Sequence, residues 1–203
     1  QAVKQLFESW RPKVIFWDMW MTLGMSHCRE PIGLAQEIFV PGLTRNLIHG
    51  LPDPTGDFLR YCLTNPTADP RAFCEEAGVQ FGFDVTDAGV DAFSRILRTE
   101  QNCIALFPDV EETLEFCKRG SYEQGIISNL WAFPAERLFS DTVLRRYFSR
   151  NEIVCSFEVR HAKPEREIFE EACRRFGVRP EDCLMIGDNL TADIKGALDF
   201  GMK

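Results

Sequence analysis

The stretch KVIFWDMWMTLG, residues 13 to 24, decides the fold that we predict for this chain. Val14 to Trp17 form a short continuous apolar run, and the run ends at a single acid, Asp18. Such a run predicts a strand buried on both faces, as in a parallel sheet. The indole of Trp20 follows two positions later. The stretch therefore places a lone carboxylate, with an aromatic neighbour, at the end of a buried strand.

The same pattern recurs in three later runs, EQGIISN, NEIVCSF and DCLMIGD. Helical patterns lie between them. In DVEETLEFCKRG we expect Asp109 to cap the helix and Gly120 to stop it, and in REIFEEACRRF an apolar stripe ends before Gly177. Strands that alternate with helices predict an α/β fold with a doubly wound, Rossmann-like parallel sheet.

Residues 25–105 break this alternation. The segments GDFLRYCLTN, DPRAFCEEAG and TDAGVDAFSRILRTEQNCIALF carry helical spacing between turns that contain Pro and Gly, and we predict no strand among them. We therefore expect an all-helical domain, residues 25–105, inserted into an α/β core of residues 1–24 and 106–203. The chain starts without Met and stops where a further strand would be expected, so we also expect it to be part of a longer protein.

Composition narrows the class of protein. The chain has 203 residues, 45% of them hydrophobic, which is enough for one sizeable core. Its net charge of -8 is spread along the chain and argues against nucleic acid and anionic membranes as partners, and no apolar run approaches the ~20 residues of a membrane span. The eight cysteines include no CxxC pair, which favours reduced, buried thiols in the cytoplasm over disulfides.

Polar groups gather where the predicted strands end. They are Asp18, Ser128 with Asn129, and Asp188 with Asp193, and Lys163 stands before Pro164 at a predicted helix start. Ligands of open parallel sheets bind at this edge. One acid can attack a phosphoryl group, the hydroxyl and the lysine can hold its oxygens, and further acids can bind Mg²⁺. Singly, each residue is more often a turn, a cap or a solvated side chain, so the prediction depends on their order and placement.

The order of these polar segments along the chain resembles that of the motifs in the haloacid dehalogenase superfamily of hydrolases. DMWMTL resembles the first family motif, IISN the second, KPEREIF the third and GDNLTAD the fourth. The likeness covers residues 13–24 and about 106–203. The helical insertion falls where one subgroup of the family carries an α-helical cap that closes over the site and selects the substrate.

The resemblance implies a hydrolase, most simply a phosphatase for a small phosphorylated metabolite, with Mg²⁺ as cofactor. Asp18 would be the nucleophile that forms a covalent aspartyl intermediate, and Ser128 would hydrogen-bond the transferred group. Lys163 would stabilise the nucleophile and the intermediate. Thr22 would help to hold the first loop, and Asn129 is expected beside the substrate.

The implied metal site consists of the Asp18 and Asp188 carboxylates and the backbone carbonyl of Trp20. Asp193 would orient Lys163 or support the metal shell. The side chain of Trp20 is expected beside the substrate. It also departs from the family pattern, because phosphatases of this family usually have a second Asp there that acts as general acid and base. An indole cannot replace that acid, and losing such a group commonly reduces the rate by ~10²–10⁴-fold.

Three interpretations of Trp20 stay open. The chain is a Mg²⁺-dependent phosphohydrolase whose substrate has a good leaving group, or a carbon–halogen hydrolase, whose halide needs no acid and whose relatives carry an aromatic residue here. The third is a domain that keeps the fold and serves a structural or binding role. Trp131, three residues after Ser128, is expected either to line the pocket or to pack in the core.

Overall fold

The computed structural model describes residues 10–27, 34, 35, 38 and 54–203. Its centre is a parallel sheet. The described strands are β1 (Val14–Trp17), β2 (Gly24–Ser26), β3 (Ile104–Leu106), β4 (Glu123–Ser128), β5 (Ile153–Cys155) and β6 (Cys183–Ile186). Four of them form one parallel sheet in the order β5-β4-β1-β6. All four predicted strands are confirmed.

The strand order creates a crevice beside β1. The chain runs from β1 outward through β4 to β5 and then returns to β6 on the other side of β1. Connections that leave two neighbouring strands in opposite directions open a crevice at the carboxyl ends of those strands. Asp18 follows β1 directly, and Asp188 lies two residues after β6. The topology alone therefore brings these two acids to the same opening.

Helices cover both faces of the sheet. The described α-helices are α1 (Pro54–Thr64), α2 (Pro70–Phe81), α3 (Asp87–Cys103), α4 (Val110–Arg119), α5 (Ala135–Phe139), α6 (Leu144–Tyr147), α7 (Ser156–Val159), α8 (Arg166–Phe176) and α9 (Gly196–Phe200), the last preceded by a π-helical turn, Leu190–Lys195. Ile15 of β1 packs with α4, α5 and α6, whereas Phe16 packs with α8 and α9. Alternate residues of the strand thus pack into hydrophobic cores on opposite faces of the sheet. The predicted α/β, doubly wound architecture is confirmed.

The two helices predicted in detail behave differently at their ends. Helix α8 ends at Gly177, whose φ of 63° places it in the left-handed region that favours glycine. Helix α4 has the predicted bounds, but the Asp109 side chain makes no capping hydrogen bond. The reason is that the backbone of Asp109 is already helical, whereas a capping side chain needs an extended backbone to reach the first free N–H groups.

Helices α1, α2 and α3 form a second layer around an aromatic cluster. Its rings include Phe58, Phe73 and Phe93 from these helices, and Trp131 and Phe133 from the loop after β4. The core loop thus contributes side chains to the helical layer. The helices themselves confirm the predicted spacing, whereas the domain bounds 25–105 stay a prediction, since residues 28–33, 36, 37 and 39–53 lie outside the described part.

The prediction that residues 25–105 contain no strand is wrong at both borders. Strands β2 and β3 pair antiparallel, Gly24 with Leu106 and Ser26 with Ile104. Three-residue strands give no periodicity signal of their own, which is why the sequence did not reveal them. The ribbon joins the outgoing and returning segments beside the core.

The cysteine prediction is wrong in part. Cys103 is disulfide-bonded, whereas six thiols are free, those of Cys62, Cys74, Cys117, Cys155, Cys173 and Cys183, and Cys28 lies outside the described residues. The free thiols are all buried, as expected. Within the described residues, every helix is too short or too polar to cross a bilayer. The cytoplasmic location stays a prediction.

Candidate active site

The strand ends converge on one buried lysine. The ammonium group of Lys163 donates to Asp18 Oδ1 at 2.7 Å, to Asp193 Oδ1 at 2.5 Å and to the backbone carbonyl of Ile127 at 2.7 Å. All three residues are buried, with exposures of 5% for Lys163, 6% for Asp18 and 1% for Asp193. An ammonium group has three protons, so each is used. The lysine is therefore fixed against both acids.

Three carboxylates lie around a common point. One oxygen from each of Asp18, Asp188 and Asp193 falls within 4.8 Å of the others. Asp193 also accepts a hydrogen bond from the Asn189 N–H at 3.0 Å through Oδ2, so both of its oxygens have partners. Asp188, by contrast, is exposed to solvent. This set of hard oxygen donors fits Mg²⁺; Asp18 and Asp188 would be its ligands, while Asp193 supports Lys163 through its hydrogen bond.

Burial dominates the electrostatics of Asp18. Loss of solvation raises the pKa of its carboxyl, the charge of Lys163 opposes that rise, and the charge of Asp193 adds to it. Ionisation of both acids would leave them one negative charge in excess over Lys163. A divalent cation beside Asp18 would therefore favour its ionised, nucleophilic form.

Two hydroxyl groups at this edge are buried without a partner. Among the described residues, Ser128 Oγ and Thr22 Oγ have no hydrogen-bonding partner and no measurable contact with solvent. Buried polar atoms are nearly always paired, so these two unpaired hydroxyls are available to bind ligand atoms. The two residues come from the predicted second and first motifs, respectively.

The Asn129 side chain forms two hydrogen bonds with the backbone of Lys163. Its side-chain amide donates to the Lys163 carbonyl at 2.9 Å, and its oxygen accepts from the Lys163 N–H at 2.7 Å. The pair fixes the backbone of Lys163 from both sides. In this arrangement Asn129 positions the lysine, and its predicted contact with substrate stays a prediction.

The loop after Asp18 turns tightly. Met21 adopts a left-handed φ of 59° and its N–H donates to the Gly24 carbonyl at 2.7 Å. Gly24 is required because a Cβ there would lie 2.7 Å from the Ala105 carbonyl. Trp20 is half-buried and packs against the core cluster that includes Leu23. Its side chain therefore has a packing role, and its predicted contact with substrate stays a prediction.

Sequence reasoning missed two features that hold this edge together. The Ile127 carbonyl accepts a hydrogen bond from the Lys163 ammonium, and Glu100 of α3 accepts one from the indole of Trp131. A backbone carbonyl leaves no signal in a sequence, and Glu100 is far from every motif along the chain. Of the two roles open to Trp131, the structure shows packing, since its side chain is 2% exposed inside the aromatic cluster.

Residues 44–201 match the family of haloacid dehalogenase-like hydrolases, and the chain belongs to this family. It is 38% identical over 97 residues to the glyceraldehyde 3-phosphate phosphatase of Methanothermobacter thermautotrophicus. That alignment covers 48% of this chain and 42% of the relative. The chain thus spans less than half of the length of this curated relative, and phosphatase activity comes to it only as a proposal.

Solved structures share the fold. A haloacid dehalogenase family enzyme from Bacteroides thetaiotaomicron, in complex with magnesium and inorganic phosphate, has a TM-score of 0.60 at 20% identity, covering 95% of this chain and 92% of that one. A 2-haloacid dehalogenase from Pseudomonas syringae has a TM-score of 0.55 at 21% identity, with coverages of 94% and 84%. At these identities the likeness concerns the fold alone, and the fold is common to phosphatases and dehalogenases.

Proposed function

We propose that the chain is a Mg²⁺-dependent phosphohydrolase that acts on a small phosphorylated metabolite through an aspartyl intermediate at Asp18. One observation carries the proposal: one oxygen from each of Asp18, Asp188 and Asp193 lies within 4.8 Å of the others, and the buried Lys163 bonds two of these acids. A carbon–halogen hydrolase has little use for a group of acids that can hold a divalent cation, because its substrate carries no phosphoryl dianion for that cation to neutralise. This contrast favours phosphoryl transfer.

In the proposed reaction the Asp18 carboxylate attacks the phosphorus, and the bond to the leaving oxygen breaks. The free Ser128 hydroxyl holds an oxygen of the transferred group, and the Lys163 ammonium, whose three protons are bonded to Asp18, Asp193 and Ile127, stabilises the nucleophile and the intermediate through its charge. Asp18, Asp188 and the backbone carbonyl of Trp20 would hold Mg²⁺, which would supply charge neutralisation. Water then attacks the phosphorus of the aspartyl phosphate, the bond between phosphorus and the Asp18 oxygen breaks, and inorganic phosphate leaves with the protons of that water, which restores the Asp18 carboxylate.

Trp20 defines the expected substrate class. Its indole offers no proton to a leaving oxygen near neutral pH, so the leaving group must depart without help. Acyl and aryl phosphates meet this condition, because their leaving groups are stable as anions. We propose this class rather than simple alkyl phosphates.

The test is release of p-nitrophenol from p-nitrophenyl phosphate, with Mg²⁺ or with chelator. Wild type is compared with Asp18→Asn and with Asp84→Asn, a control at an exposed aspartate between α2 and α3. We expect turnover in wild type and the control that needs Mg²⁺ and is lost in Asp18→Asn. Halide release from a 2-haloacid in chelator would instead support dehalogenation. Absence of both activities would support a structural or binding role.

A further inference from the structure

We propose that Trp131 and Glu100 are positioning residues that couple the helical layer to the placement of Ser128. The catalytic consequence rests on the proposed function, whereas the mechanical coupling does not. Trp131 lies three residues after the end of β4 and Glu100 lies in α3, so the pair links the two layers of the molecule.

Ser128 depends on its flanking backbone for its position. Its hydroxyl is buried without a partner among the described residues, so no hydrogen bond of its own holds it. On the N-terminal side, strand β4 pairs with its neighbours, and Ser128 lies opposite Cys155. On the C-terminal side, residues 129–133 leave the sheet. The anchors of this loop therefore decide where the hydroxyl points.

The first two loop residues are held by backbone contacts. Asn129 pairs with the backbone of Lys163, as described above. The Leu130 N–H donates to the Ser156 hydroxyl at 3.0 Å, and that hydroxyl lies 2.6 Å from the Leu63 carbonyl, to which it donates. Leu63 belongs to α1, so this chain of hydrogen bonds already reaches the helical layer.

Trp131 inserts into the helical layer itself. Its ring centroid lies 5.9 Å from that of Phe93 and 5.2 Å from that of Phe133. Its indole N–H donates to the two carboxylate oxygens of Glu100 at 3.1 and 3.2 Å. Glu100 is only 3% exposed, so water does not compete effectively for this carboxylate. A buried hydrogen bond to a charged acceptor fixes the orientation of the Trp131 indole as well as its position within the aromatic cluster.

This geometry has a catalytic consequence. A displacement of about 1 Å in a group that touches the reacting atoms can lower a rate by about 10²-fold. If Trp131 loses its acceptor, the indole can rotate within the aromatic cluster and the loop before it can shift. Ser128 would then be misplaced, although substrate contacts elsewhere would remain. We therefore expect a loss in kcat with little change in KM.

The experiment compares Glu100→Leu, Glu100→Gln and Trp131→Phe in the full chain. Glu100→Leu removes the acceptor, Glu100→Gln keeps an oxygen that accepts from the indole, and Trp131→Phe removes the donor while keeping a ring. The matched control is Gln124→Leu. Gln124 is buried near the start of β4, accepts from the indole of Trp17 at 3.2 Å and donates to the Leu114 carbonyl at 3.1 Å, so the control removes a buried acceptor of another indole away from the loop.

Two measurements decide the outcome below the unfolding temperature of every variant. We expect kcat for p-nitrophenyl phosphate to fall about tenfold in Glu100→Leu and Trp131→Phe, with KM within about twofold, and to recover in Glu100→Gln. Gln124→Leu should keep kcat. Amide hydrogen exchange in residues 129–133 should become faster in Glu100→Leu and Trp131→Phe alone.

Unchanged exchange in both Glu100→Leu and Trp131→Phe would overturn the coupling. If Glu100→Leu does not fold, Trp131→Phe decides by itself. Equal losses of kcat in Glu100→Leu and Gln124→Leu, or no recovery in Glu100→Gln, would overturn the positioning role. Lack of Mg²⁺-dependent turnover in wild type would instead contradict the proposed function, and the exchange measurement would then decide the coupling on its own.

Discussion

Replacing Lys163 by Met tests the charge cluster directly. Met keeps an unbranched apolar stem and removes the ammonium group that bonds Asp18 and Asp193. Both carboxylates would stay buried and face each other without a cation. Breaking a buried pair by removing one partner generally destabilises a protein by about 3–5 kcal/mol. We therefore expect a large loss in the free energy of unfolding.

The magnitude has an upper limit that depends on pH. The folded variant can relieve the repulsion by keeping one carboxyl protonated. At pH 7 this costs about 1.36 kcal/mol for each unit above an unfolded aspartate pKa of about 3.9, or about 4 kcal/mol. At pH 5 the same calculation gives about 1.5 kcal/mol. The loss caused by Lys163→Met should therefore shrink as the pH falls.

The sign follows from the pKa of Asp18, which burial raises and Lys163 lowers. Without Lys163 the folded pKa rises further above the unfolded value. A carboxyl whose pKa is raised on folding stabilises the folded state below its unfolded pKa, and this stabilisation is lost as the pH rises through the folded pKa. The variant should therefore lose stability relative to wild type between pH 5 and pH 7.

Urea denaturation in chelator at both pH values provides the assay. Lys13→Met is the matched control, because Lys13 pairs with Asp182 at 2.9 Å while its own side chain is 65% exposed. That exposed pair should contribute at most about 1 kcal/mol, with little dependence on pH in this range. A loss in Lys163→Met no larger than in Lys13→Met, or a loss that does not shrink at pH 5, would refute the reasoning.

Three further variants test the site. Ser128→Ala should change the free energy of unfolding by less than about 1 kcal/mol, because the hydroxyl has no partner among the described residues. Its kcat for p-nitrophenyl phosphate should fall about 10²-fold, and an unchanged kcat would contradict the proposed role of the hydroxyl. Gly187→Ala places a Cβ 2.3 Å from the Asp193 carboxylate. The variant should need a Mg²⁺ concentration about 10–100-fold higher for half-maximal activity, because the displaced carboxylate supports the metal site. An unaltered Mg²⁺ titration would contradict this prediction. Trp20→Asp should raise turnover of an alkyl phosphate by about 10²-fold with a smaller change for p-nitrophenyl phosphate. Equal changes for both substrates would show that the missing acid does not set the substrate class.

Much of the fold could be predicted because its signals are local. The run Val14–Trp17 is apolar at every position, so it predicts a strand covered on both faces without any knowledge of its partners. Helix α8 shows its apolar stripe and its terminal glycine within a dozen residues. The position of Asp18, Ser128 and Asp188 at one edge then follows from the parallel direction of the strands.

Other features could not be predicted because they depend on contacts between distant segments. The β2–β3 ribbon exists only because residues 24–26 and 104–106 meet, and neither triplet has a pattern of its own. Asp109 fails as a cap because of a backbone angle that the preceding turn imposes. The bonded state of Cys103 likewise concerns a partner that spacing along the chain does not identify.

The sequence by itself determined the family, the order of the strands along the chain and the identity of the groups at their ends. It could do so because periodicity and residue type are properties of short segments. Only the tertiary structure decided that Lys163 lies between Asp18 and Asp193, that burial raises the pKa of Asp18, and that Asn129 holds the backbone of Lys163. The distances between these side chains, their burial and the electrostatic field at each group depend on residues that only folding brings together, so no single segment of the sequence determines them.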